Sequence, residues 1–209
     1  MFDIYPFLIQ IKCYKWIYYT REITMKRTAE LDLINWIKNK RRKPLIIRGA
    51  RQVGKSTLVR QFAENSGLRL LEINLEKHLE LDKVFATLND KEICRELEGF
   101  FEQKTKTDNS LLFLDEIQST PHALQSLRYF YEDFPELPVI ATGSLLEFTL
   151  SKHNFPMPVG RIEYFHLGPM SFEEFMLEIN PNLLEFIKDF DFKNPIPKTV
   201  HKKLLNHQR

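Results

Sequence analysis

Cysteine is nearly missing from this sequence. Its 209 residues hold two, Cys13 and Cys94, far apart and in no CxxC pair. Neither a disulfide framework nor a cysteine zinc site is therefore suggested, both residues read as packing groups, and a reducing compartment, the cytoplasm, is expected. A large excess of charge is missing too. The formal charge of +2 gives no strongly basic surface overall as a basis for binding nucleic acid or anionic lipid. Long apolar runs are also lacking. Residues 1–24 are rich in aromatics and isoleucine, but Lys12 and Lys15 interrupt them. A membrane span needs about 20 apolar residues without such charges, and a secretory signal needs a basic start, an unbroken apolar middle and a small-residue cleavage site. No membrane partner is expected. What is plentiful is apolar side chain: 43% hydrophobic with 28% charged residues suits one soluble domain with extensions, able to bury a core.

The stretch that organises the chain is 44–57, PLIIRGARQVGKST. The apolar run Leu45, Ile46, Ile47 leads into a loop opened by Gly49 and closed by Gly54-Lys55-Ser56, and a helical spacing of Leu58, Val59 and Phe62 follows. Strand, loop and helix in that order, with four residues between Gly49 and Gly54, fit the loop that cradles a nucleoside triphosphate. The loop Gly49, Ala50, Arg51, Gln52, Val53, Gly54 would turn its N–H groups towards the phosphates, aided by glycine where a Cβ would clash. Lys55 reaches the β- and γ-phosphates, Ser56 offers its hydroxyl to Mg²⁺, and the helix entered at Ser56 and Thr57 presents its positive end to the same anion.

A second stretch, SLLFLDEIQ at 110–118, has four consecutive apolar residues, as expected for a strand buried on both faces of a parallel sheet. Asp115 and Glu116 fall where it emerges. Open α/β sheets bind ligands at the carboxyl ends of their strands, so Asp115 is expected beside the loop as a Mg²⁺ partner of Ser56, and Glu116 near the γ-phosphate as the group that activates water. A third buried strand, 137–143, ends in Thr142-Gly143-Ser144. Ser144 is the expected γ-phosphate sensor in preference to Thr142, while an ordinary strand-to-helix cap accounts for the same residues. Arg161, before a last strand at 162–168, either reaches phosphate in its own subunit or a neighbouring copy, or forms a surface salt bridge.

Elsewhere the patterning is structural. A helix over 28–40 buries Leu33, Trp36 and Ile37 with Thr28 as its N-cap, and the basic run from Lys38 to Lys43 reads as a solvated loop in preference to a nucleic-acid contact. Gly67 closes the helix after the loop, 77–106 is mostly helical with Ile93, Leu97, Phe100 and Phe101 on one face, and His78 reads as solvated. Pro121 opens a helix that buries Leu124, Leu127, Phe130 and Tyr131, and Ser171 to Glu174 form a capping box. The expected fold is a three-layer α/β/α domain around a mainly parallel five-stranded sheet built near 44–49, 69–76, 110–116, 137–143 and 162–168.

In that order, RGARQVGKST, LLFLDEIQ, IATGSLLEF and VGRIEYFHLGPMSFEEF resemble the N-terminal ATPase domain of prokaryotic AAA+ superfamily ATPases that carry a C-terminal domain of unknown function. The resemblance covers about 25–209. It implies ATP as ligand, 49–57 as Walker A, Asp115 and Glu116 as Walker B, Ser144 at the sensor strand end and Arg161 in a finger-like role within an assembly of copies. It also implies a domain over 25–180 and the start of a truncated helical region over 181–209, with 1–24 as an extension and Met25 as a second candidate start. For 1–24 a peripheral strand, a partner-binding tail and a mis-assigned start stay open. An ATP-hydrolysing enzyme is the leading expectation; a nucleotide-dependent binding switch and an inactive remnant are its alternatives, and a protein or nucleic-acid partner is left unidentified.

Overall fold

The computed structural model describes residues 25–105, 107, 109–144, 160–191, 193 and 195–206. The expected extension over 1–24, the segment LLEF at 145–148 and the proline-containing loop around Pro156 and Pro158 lie outside the described residues. Residues Arg27–Pro169 form one compact unit, and Met170–Arg209 belong to a second.

Five strands form the sheet of the first unit: β1 (Leu45–Arg48), β2 (Arg69–Asn74), β3 (Ser110–Asp115), β4 (Val139–Gly143) and β5 (Glu163–His166). Every pairing is parallel, in the order β2-β3-β4-β1-β5. The expected strands are all present, each shorter by a residue or two at an end. Helices cover both faces, because a parallel sheet must be screened from water on each side. The alternation along β3 makes this visible. Leu111 and Phe113 pack with Leu58, Val59 and Phe62 of the helix after the loop, whereas Leu112 and Leu114 pack with Ile93, Leu97, Leu124 and Leu127 on the other side. Phe113 is fully buried, and truncation to alanine there would cost about 3–5 kcal/mol.

On one face lie α1 (Glu30–Lys38) and α2 (Lys55–Asn65); on the other lie α3 (Asp82–Ala86), α4 (Asp90–Phe101) and α5 (Pro121–Asp133). α1 begins later than its sequence suggests. Ala29, not Thr28, is its N-cap and makes no side-chain cap bond, while Thr28 supplies a backbone carbonyl to Leu31 at 3.1 Å. The acidic first turn, Glu30 and Asp32, supports that end electrostatically. α2 closes as expected at Gly67, whose φ of 64° lets Leu68 N–H reach the Ala63 carbonyl at 2.9 Å and Gly67 N–H reach that of Glu64 at 3.1 Å. In α4, Ile93 and Leu97 are buried, but Phe100 is exposed and meets the His78 ring edge-on at 4.9 Å.

In the second unit, the Ser171 capping box opens α6 (Phe172–Ile179), Asn180 caps α7 (Pro181–Lys188), and α8 (Lys198–Asn206) follows. Met176, Leu183 and Leu184 form its small core. Among the described residues no helix is long and apolar enough to cross a membrane.

Candidate nucleotide site

β1 delivers the chain to Gly49, where a side chain cannot be accommodated: a Cβ there would lie 2.2 Å from the Leu167 carbonyl oxygen, in the backbone that follows β5. The loop then takes two left-handed residues, Gln52 (φ 64°) and Gly54 (φ 90°). Gly54 is the N-cap of α2 and offers no side-chain bond to the helix, so the first N–H groups of α2 face the cleft without a capping side chain. Lys55, buried, folds its Nζ back onto the carbonyls of Gly49 (3.1 Å) and Ala50 (2.9 Å). Burial pushes its pKa below the usual lysine value; Glu116 and Asp115 pull it back up, and the charge of Arg51 pushes it further down.

The acidic half arrives from β3. Asp115 is buried and gathers three donors: Ser56 Oγ to Oδ2 at 2.9 Å, the Glu116 N–H to Oδ1 at 3.1 Å, and Thr142 Oγ1 to Oδ1. Glu116 turns the chain through a left-handed conformation, φ 53° and ψ 47°. Its Oε2 accepts from Gln118 Nε2 at 2.5 Å and, at the long limit of 3.5 Å, from Ser144 Oγ. Between the two halves is a cleft of about 470 Å³, lined by Arg51, Gln52, Gly54, Lys55, Ser56 and Thr57 together with Arg60 and Glu116. Cationic donors and a helix N-terminus thus converge on one cavity with a carboxylate at its edge.

With this geometry in place, the comparison with known families is decisive: the model of the AAA domain family matches residues 41–176, well over half of the chain. This chain belongs to the AAA domain family. Solved structures similar to it include the Walker-type ATPase PABY2304 of Pyrococcus abyssi, at 20% identity and a TM-score of 0.46, and PCH-2 of C. elegans, at 11% identity and a TM-score of 0.45. The matches cover 88% and 84% of this chain but 63% and 52% of those two, so the chain spans less than two thirds of their length. No curated protein matches.

Within the AAA domain, the loop residues 49–57, Asp115, Glu116 and Ser144 are brought together. Arg161 is not. All strands are parallel, so Arg161, before β5, stands at the end of the sheet where Leu45 pairs with Glu163, while the loop leaves the opposite end. The four residues of β1 alone put about 10 Å between those ends. Arg161 Nε bonds Glu132 Oε1 at 2.8 Å, an exposed pair that Arg128 shares and that holds the Glu132 carboxyl below its usual range. Of the basic run, Arg42 donates to the Glu136 carbonyl at 2.7 Å.

Three residues gain importance that the spacing of motifs did not convey. Thr142 is bonded to Asp115, because the β3–β4 register, with Leu114 opposite Ala141, brings the next residue of each strand side by side. Gln118 holds Glu116. Arg27 forks between the Val53 carbonyl in the loop and the Gly168 carbonyl after β5, each at 2.8 Å, tying the loop to the sheet's edge. Register and strand order bring Thr142 and Arg27 to their partners, and neither is written in the local sequence, whereas Gln118 lies only two residues beyond Glu116.

The donor set suits Mg²⁺. A serine hydroxyl and a buried carboxylate are hard oxygen ligands, and Mg²⁺ commonly takes one or two carboxylates with water and substrate phosphates instead of a closed protein cage.

Proposed function

We propose that this AAA domain binds ATP with Mg²⁺ and hydrolyses its terminal phosphoanhydride. The observation that carries the reading is the direct Ser56–Asp115 hydrogen bond, with Lys55 and Glu116 lining the same cleft. In this reading the N–H groups of the loop and of the first turn of α2 hold the phosphates, and Lys55 exchanges its two carbonyl partners for β- and γ-phosphate oxygens. Ser56 and Asp115 would hold the metal, which supplies charge neutralisation at the phosphates. Glu116 orients the attacking water and accepts its proton, while Ser144, at the same carboxylate, senses whether the γ-phosphate is present. Adenine as the base is what family membership supports.

Arg161 would reach the phosphates of a neighbouring copy in a homo-oligomer, since its own loop is at the far end of the sheet; its exposure supports that role. The domain over 25–180, the helical region over 181–209 and a cytoplasmic location belong to the same proposal, the last supported by the scarcity of cysteine.

The test is phosphate release and calorimetric ATP binding on the whole chain and on Glu116→Gln. Retained binding with a turnover lower by about 10²–10⁴ supports the reading. Equal turnover in the two proteins sinks it, and tight binding without turnover in the parent hands the site to the binding-switch alternative.

A further inference from the structure

Three cationic side chains line the cleft: Arg51, Lys55 and Arg60. Two of them are engaged. Arg60 forks onto Glu72, its Nε and Nη2 meeting both carboxylate oxygens at 2.6–3.2 Å. Lys55 is bonded to its own loop. Arg27, which touches the loop, is spent on two carbonyls, and Arg161 is held by Glu132 at the other end of the sheet. Arg51 is exposed and takes part in no hydrogen bond or ion pair among the described residues. It lines the same cleft as Lys55 and Glu116. An anion held between two cations on one cavity wall is attracted by both.

Resting on the reading of the cleft as a triphosphate site, we propose that the Arg51 side chain binds the γ-phosphate from within the same chain and makes the cleft prefer nucleoside triphosphate to diphosphate. The γ end is singled out because Glu116 and Lys55 both mark it, and Arg51 lines the cavity with both of them. The α- and β-phosphates face the first turn of α2, where backbone N–H groups suffice. A guanidinium fork matches two phosphate oxygens at once, a geometry that a lysine cannot copy. Discrimination between ATP and ADP is thereby present in a single chain, before any neighbour contributes an arginine.

The experiment measures equilibrium affinity for a non-hydrolysable ATP analogue and for ADP, each with Mg²⁺, in the parent chain, Arg51→Ala and Arg51→Lys. The parent should prefer the triphosphate. Arg51→Ala should weaken the analogue by roughly 10- to 100-fold, the range for a charge-assisted hydrogen bond, and ADP by less than about twofold. Arg51→Lys should recover part of the preference. Because general damage to the loop weakens both nucleotides alike, an unchanged affinity ratio in Arg51→Ala overturns the assignment, whatever the absolute values. A parent that binds neither nucleotide overturns the triphosphate reading and this assignment with it; a parent that binds both with no effect of Arg51 overturns the assignment alone.

Discussion

Ser56 and Asp115, 59 residues apart in sequence, share a hydrogen bond of 2.9 Å in which Oγ donates to Oδ2. The bond joins the two groups best suited to a divalent cation, so a metal entering there must replace it. Ser56→Ala should leave a buried carboxylate short of one donor and destabilise the nucleotide-free protein by about 1–3 kcal/mol. It should also reduce the gain in ATP affinity that Mg²⁺ brings. Denaturant unfolding and calorimetry with and without Mg²⁺ check both. The same loss of stability with an intact Mg²⁺ effect would make the bond purely structural.

Glu116 is held by neighbours that do not touch the loop. Gln118→Met and Ser144→Ala each remove one donor to its Oε2. Both should lower turnover by about tenfold at unchanged nucleotide affinity, a loss of order one charge-assisted hydrogen bond. In a Glu116→Gln background neither should lower the residual rate further, because groups that act through one another are not additive. A multiplicative loss in the double variants would assign these residues a role independent of Glu116.

Two glycines with positive φ should respond differently to alanine. At Gly49 the new methyl meets the Leu167 carbonyl at 2.2 Å, so the backbone itself must move. A loss of about 3 kcal/mol or more, or failure to fold, is expected. At Gly67 nothing lies within 4 Å, and only the left-handed conformation is penalised, by about 1–2 kcal/mol. Urea midpoints of the two variants compare them directly; equal losses would mean that the loop relaxes away from β5.

Lys55 carries a signature in pH. Burial lowers its folded-state pKa below the ordinary 10.5, so the folded chain holds that proton less tightly than the unfolded chain does. The cost of the charged, buried amine is present in full below the folded pKa and is relieved as pH rises through that value towards 10.5. Nucleotide-free parent protein should therefore gain stability relative to Lys55→Met as pH is raised from about neutral into the alkaline range. A stability difference flat with pH would show that Lys55 is solvated like a surface lysine.

Where the sequence was informative, the physics was local. Continuous apolar runs such as Leu111 to Leu114, short and ended by charged residues, suit strands covered on both faces, and the glycine spacing at 49 and 54 constrains the backbone directly. Residues whose meaning depends on a partner strand were harder to read. Thr142 and Ser144 look equivalent along the chain, yet register sets one beside Asp115 and the other beside Glu116. Thr28 carries the stronger local cap signal, yet Ala29 is the N-cap of α1, a helix that buries Leu33 and Trp36. Arg27 precedes the loop by many residues with no motif around it, and its two carbonyl partners meet only in the folded sheet.

The strand order has a consequence for synthesis. Within this sheet β1 is made first, but its neighbours β4 and β5 are made last, and Leu45 waits about 120 residues for Glu163. At about 5–20 residues per second, the interval is roughly 6–24 s. Until then Gly49 lacks the Leu167 backbone it packs against, and Arg27 has no Gly168 carbonyl to hold. The nascent chain therefore carries a complete phosphate-loop sequence without its floor until the backbone after β5 is in place.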